Sequence, residues 1–210
     1  MNAMLDQLVA DLTPVRRVQP RDGWMLAATV TLVAVAVVAS RYGLRPDVMA
    51  GNPSGIVLLR AGALLLLGIA SLAAVIDSAR PSVGRRSGGW MWALAAAGLF
   101  PLITLVVTMA EGGFPATDMD PATFPYCLGI SIVSALAIGA AVTSWLRKGA
   151  VTSIVQTSWL VGLAAGAFGT FAYSLHCPSA SITYIGLWYS CAIAASAVIG
   201  RIAVPRALHW

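Results

Sequence analysis

Cys127, Cys177 and His176 are the residues of this chain whose types and setting could do chemistry. A thiolate is a strong nucleophile and a soft metal ligand, and Cys177 sits in the short run His176-Cys177-Pro178. Two chemistries are open for the pair. A structural disulfide in an oxidising compartment would staple two segments together, contributing up to about 4 kcal/mol by chain entropy in water and less within a membrane. Free thiols, with His176 as an auxiliary ligand, would instead capture a soft or borderline metal ion or become oxidised, which is the chemistry of a sensor. The third cysteine, Cys191, lies inside an apolar run and reads as a small packing residue.

No catalytic set assembles around these groups. The two histidines, His176 and His209, fall on opposite sides of the topology argued below, so no histidine pair can build a metalloprotease site. Phosphate-cradling glycine loops, a Gly-x-Ser-x-Gly elbow and a Cys-x-x-Cys dithiol are all missing from the sequence. The expectation is a protein that is not an enzyme and has no resident cofactor, with at most a heavy-metal ion held transiently by Cys127 and Cys177.

The elements that must position the thiols follow from composition. Of 210 residues 59% are hydrophobic and only 10% charged, and the mean hydropathy is +0.83, so polar surface is too scarce to cover a water-soluble globule. Six apolar runs succeed one another: Trp24 to Ser40, Ile56 to Ile76, Trp90 to Ala110, Cys127 to Leu146, Ile154 to Leu175 and Tyr184 to Gly200. Each approaches the roughly 20 residues a helix needs to cross the bilayer, the first and last being short at 17 residues. Backbone groups in lipid must be satisfied within the segment, and no alternating barrel pattern is present, so the fold class is all-α: a six-span transmembrane helical bundle. The first run exceeds the length of a signal-peptide core and follows a long polar lead, so it is expected to be retained.

Basic residues set the orientation. Arg16, Arg17, Arg21, Arg80, Arg85, Arg86, Arg147, Lys148, Arg201 and Arg206 flank one side, whereas the connections on the other side hold only Arg41 and Arg45. The positive-inside rule places both termini in the cytoplasm and both thiols outside, and Trp24, Trp90, Trp92, Trp145, Trp159 and Trp210 cluster near the inner ends, where amphipathic rings favour the interface. The net charge of +5 is therefore a topology signal and no basis for direct nucleic-acid binding. Three segments result: a cytoplasmic arm over 1–23 with a short amphipathic helix, a transmembrane domain over 24–200 and a cytoplasmic tail over 201–210. If the fourth and fifth spans are antiparallel neighbours, as their short connection indicates, Cys127 and Cys177 lie at one depth and can meet, close to a loop carrying Glu111, Asp118 and Asp120.

Several polar or small residues within the spans have structural readings. Gly162, Gly166 and Gly169, with Ala165, form a face that admits a close helix neighbour. Arg60, one turn inside the second span, reads as an anchor whose long side chain reaches the headgroups, Asp77 as a solvated end group, and Pro101 as a kink. In the arm, Leu5, Leu8, Val9 and Leu12 recur at helical spacing opposite Asp6 and Asp11. A helix that lies on anionic lipid carries Lys or Arg on its polar face and this one carries none, which turns the reading toward a protein partner, with Arg16 and Arg17 available for ion pairs.

The chain resembles the NrsF family of six-span anti-sigma factors. The likeness is carried by Leu12-Thr13-Pro14-Val15-Arg16-Arg17, by Gly43-Leu44-Arg45-Pro46-Asp47 and by the isolated Cys127. It continues through Gly162-Leu163-Ala164-Ala165-Gly166-Ala167 into Tyr173-Ser174-Leu175-His176-Cys177-Pro178, then Leu187-Trp188-Tyr189 and the closing Leu208-His209-Trp210, where His209 replaces an expected arginine. The resemblance implies an anti-sigma factor of the bacterial inner membrane that holds an extracytoplasmic-function sigma factor and releases it under heavy-metal or oxidative stress, with Cys127 and Cys177 as its periplasmic sensing pair. The rival expectations are a small membrane transporter for a metal or solute, against which the near absence of ionisable groups at span centres counts, and a purely structural membrane subunit.

Overall fold

A helix in lipid stops where its backbone hydrogen bonds find other partners, and that carries the first and last spans beyond their apolar runs. The computed structural model of the chain describes residues 19–79, 89–110, 112–113, 124–149, 151–179 and 181–208. Its helices are α1 Pro20–Tyr42, α2 Pro46–Met49, α3 Gly55–Ser78, α4 Gly89–Ala110, α5 Phe124–Leu146, α6 Ile154–Ser174 and α7 Ile182–Ala207. All but the single turn of α2 are long and apolar enough to cross a membrane, and no strand occurs among the described residues.

Local chemistry explains the lengthened ends. α1 opens on Pro20, whose missing N–H costs nothing at a helix start, and on Asp22 near the positive end of the helix dipole. It closes at Gly43, whose φ of 81° turns the chain while its N–H donates to the Ala39 carbonyl at 3.0 Å. The result is 23 residues where the apolar run alone had 17. α7 is capped by the Ser181 hydroxyl, which accepts from the Tyr184 N–H at 3.2 Å, and its 26 residues take in Arg201, Pro205 and Arg206. Residues 201–207 thus continue the last helix without a break. Pro101 lies inside α4, which stays helical through it.

α6 is the axis of the bundle. Of its 21 residues 16 are buried, and it packs against α7, α5, α3 and α1. The glycines expected to admit a close neighbour do so. A Cβ on Gly162 would lie 2.6 Å from the Ala197 Cα and the Ser196 carbonyl of α7, and one on Gly169 would lie 2.6 Å from the Ala135 N and the Ser131 carbonyl of α5. Gly68 of α3 sits beneath the Phe168 ring, where an added Cβ would come within 2.7 Å. Around this axis the other helices turn large apolar side chains outward, among them Leu32, Leu59, Leu66, Trp92, Met109 and Val133, a surface that only lipid can solvate. Asp77 is exposed, as expected. One expectation changes. Cys191 is not packed inside the bundle but lies on its exposed surface, on the side of α7 away from buried Tyr189 and Ala192. Trp145, near the end of α5, is buried against Gly23 in the first turn of α1, where the glycine leaves a space that the indole ring fills.

Candidate functional site

The thiols come together at one end of the bundle. Cys127 occupies the first turn of α5 and Cys177 follows the end of α6, and they are 0% and 1% exposed. They share one apolar cluster with Leu64 and Leu67 of α3, Tyr173 of α6, and Tyr184, Ile185 and Tyr189 of α7. Both are free thiols. The Tyr184 hydroxyl faces Cys127 and the Tyr189 hydroxyl faces Cys177, and since sulfur is a weak acceptor, both phenol oxygens are left without a strong partner. The sulfurs are sealed among helices, because the ends of α3, α5, α6 and α7 converge over them. The fold thus gathers both sulfurs into one apolar cluster.

A second layer covers the pair. The Cys177 N–H donates to the Tyr173 carbonyl at 3.1 Å, and the Cys177 carbonyl accepts from Arg45 Nη1 at 2.8 Å and from Arg60 Nη2 at 3.0 Å. Arg45 also reaches the Pro178 carbonyl at 3.0 Å, and its own N–H bonds the Leu175 carbonyl at 3.1 Å. Arg60 further donates to the Ser174 carbonyl at 2.7 Å and the Ser179 carbonyl at 2.8 Å. The reading of Arg60 as an anchor in the headgroups is overturned: it is 4% exposed, and its guanidinium turns into the protein to meet the carbonyls that the end of α6 leaves without helical partners. A cation at a helix C-terminus also faces the negative end of the dipole, and each hydrogen bond to a charged donor contributes about 1.5–3 kcal/mol, which offsets the cost of burying the charge.

Arg45 is held in turn by Asp47. Arg45 Nε lies 3.0 Å from Asp47 Oδ1 and Nη2 lies 3.2 Å from Oδ2, a bidentate pair. The Arg45 hydrogen bond, followed by those from the Ser54 and Val48 N–H groups, holds the Asp47 carboxyl down at about 2, and the same pairing raises the Arg45 guanidinium above its ordinary value. His176 closes the cap. Its Nδ1 lies 3.0 Å from the Gly43 carbonyl, so that nitrogen carries the proton, and its ring contacts Tyr42 at 5.5 Å and Tyr173 at 5.7 Å. His176 thus fastens the turn after α1 to the turn after α6. Among the described residues no three His, Cys, Asp or Glu side chains gather to hold a metal ion, so the soft-ligand set consists of the two thiols alone.

The family profile described as "Negative regulator of sigma F" matches residues 8–210. The chain belongs to the NrsF family. It is 30% identical to the anti-sigma-F factor NrsF of Caulobacter vibrioides (strain NA1000 / CB15N), over 99% of this chain and 98% of that one. It is 28% identical to the "Probable anti-sigma-F factor NrsF" of Azospira oryzae (strain ATCC BAA-33 / DSM 13638 / PS), over 90% and 86% of the two chains. No solved structure matches.

Within this NrsF chain the arm residues Leu5, Leu8, Val9, Leu12, Arg16 and Arg17 lie outside the described residues, as do Glu111, Asp118 and Asp120. Residue types alone found the cysteines. They missed the tyrosine wall and the two-arginine clamp, for which the one sequence signal was an arginine inside an apolar span with no acid near it in the chain.

Proposed function

We propose that this NrsF-family protein is an anti-sigma factor of the bacterial inner membrane, with both termini in the cytoplasm. It sequesters an extracytoplasmic-function sigma factor and releases it when periplasmic Cys127 and Cys177 are bound by a heavy metal or oxidised. The observation that carries this reading is the burial of two free thiols in one pocket under a cap whose main chain is fixed on both sides. Two thiols close together can exchange two protons for one soft cation, or lose two protons and two electrons to an oxidant as a disulfide forms. Either product is larger or more rigid than the paired thiols, at a place where both sulfurs are buried. The wall of tyrosines lets such a change strain the cap instead of relaxing into solvent.

The arm is the part assigned to the partner, through the apolar face of Leu5, Leu8, Val9 and Leu12, with Arg16 and Arg17 beside it. Membership of the family supports a sigma factor as partner, and the convergence of the thiols supports them as the receiver. The test is a reporter driven by the restrained sigma factor. Deleting the gene should raise its transcription without stress, and Cys127→Ser and Cys177→Ser should each keep resting repression while blunting induction by Hg2+, with Cys191→Ser responding as the wild type does. Normal induction in both serine variants would reduce the pair to a structural element between α5 and α6.

A further inference from the structure

An arginine buried near the thiols is tied at its helix's far end to another connection, and this gives the pocket a mechanical outlet. Cys177 is pinned through its N–H to Tyr173 and through its carbonyl to Arg45 and Arg60, so displacement of its side chain cannot be absorbed by its own backbone. Two of these holders belong to long helices that leave the site: Tyr173 to α6, the buried axis on which the other helices pack, and Arg60 to α3, which lies against that axis. α3 runs from Arg60 to Ser78, about 27 Å at 1.5 Å per residue.

At Ser78 the same helix is fastened again. The Ser78 carbonyl accepts from the Thr152 N–H and from the Thr152 hydroxyl, both at 3.2 Å, and the Ser78 hydroxyl accepts from the Thr157 hydroxyl at 2.9 Å. Thr152 lies in the connection between α5 and α6 that also carries Arg147 and Lys148, and Thr157 lies in the first turn of α6. Between its two ends α3 bears on α6 where the Phe168 ring rests on Gly68, a close contact that can serve as a fulcrum. Helices are stiff along their axes and packed interfaces shift between discrete arrangements, so a pull at one end of such a rod is delivered at the other.

We infer that Arg60 is a coupling residue: it joins the Cys177 carbonyl to α3, and α3 carries the state of the thiol pair to the 147–157 segment at the opposite end of the bundle. The inference rests on the proposed thiol sensing and adds the route by which the signal leaves the site. Arg60 touches neither metal nor oxidant in this scheme. It positions the cap and transmits its displacement.

The test separates occupancy of the thiols from the response. Full-length chains carrying Cys191→Ser, so that only the pair is counted, are expressed with the sigma-dependent reporter and exposed to Hg2+. Thiols left free are then counted after acid quench, denaturation and mass-tagging with maleimide. Arg60→Met keeps most of the side-chain volume and removes the donors. It is expected to leave the pair protected by Hg2+ as in the parent chain while induction falls about tenfold. Ser78→Ala with Thr157→Val leaves the clamp on Cys177 untouched and loosens the far fastening, and it should show the same split, which keeps the inference testable if the Arg60 variant fails to accumulate in the membrane. Full induction in either accumulated variant would overturn the route through α3. Loss of protection together with induction in Arg60→Met would make Arg60 a mere part of the pocket wall and likewise overturn it. If Cys127→Ser and Cys177→Ser respond as the parent chain does, thiol sensing itself fails and the coupling falls with it, a result distinguishable from the first two.

Discussion

Burial sets what the individual thiols can do. A cysteine with no exposed surface meets alkylating reagents only when its surroundings open, so reactivity reports pocket opening more than intrinsic nucleophilicity. N-ethylmaleimide should therefore modify Cys127 and Cys177 in folded protein about a hundredfold more slowly than after denaturation, as followed by mass spectrometry, and equal rates would mean that the pocket is open at rest. At the surface of the cap, Asp47 makes a claim about pH. Its carboxyl is depressed to about 2, so its stabilising contribution is present above the ordinary carboxylate value near 4 and is lost only as pH falls through about 2. Amide exchange at Val48 and Ser54, corrected for intrinsic rates, should show no step between pH 7 and pH 5, and Asp47→Asn should speed it throughout that range. Arg60 marks the limit of what residue types reveal. Sequence position near a span end pointed to the headgroups, whereas the partners that hold the guanidinium are main-chain carbonyls of Ser174, Cys177 and Ser179, and no side-chain chemistry announces a carbonyl.

Among the helices, α6 sets the terms for its neighbours. Its glycines are not interchangeable with alanine where backbone lies opposite, because backbone cannot swing aside as a side chain can. Gly162→Ala and Gly169→Ala should each cost about 1–3 kcal/mol in reversible unfolding from detergent or bicelles, while Gly98→Ala, with nothing within 4 Å of the added methyl group, should be neutral or slightly stabilising. Equal effects at the three positions would remove α6 as the close-packed axis. That face was legible from the recurrence of Gly162, Gly166 and Gly169 with Ala165, as was the existence of all six spans. The ends of the first and last were not, because hydropathy falls at Arg21 and Arg201 while the helical hydrogen bonds continue past them.

At the scale of the whole molecule, orientation and partner binding belong to charge and to the arm. Ten basic residues flank one set of connections and two flank the other, so a phosphatase that works only in the periplasm should be inactive when fused at Trp210 and active when fused after Ala116. The reverse pattern would turn the thiols inward and remove the proposed sensor. On the arm, Leu5→Asp with Leu8→Asp should abolish copurification of the sigma factor while membrane levels stay unchanged, and an unaltered yield would move binding to the 80–89 and 147–153 connections.

The cap joins parts of the chain that are made at very different times. Arg45 and Arg60 come from its first third, and the carbonyls they grip, with Tyr184 and Tyr189 behind the sulfurs, come from its last fifth. During vectorial synthesis the arm and the first helices emerge long before the thiol pocket has a wall. A chain cut after residue 181 keeps Cys127, Cys177 and both arginines yet has no seventh helix to enclose them, so the pocket stays open until synthesis has passed Tyr189.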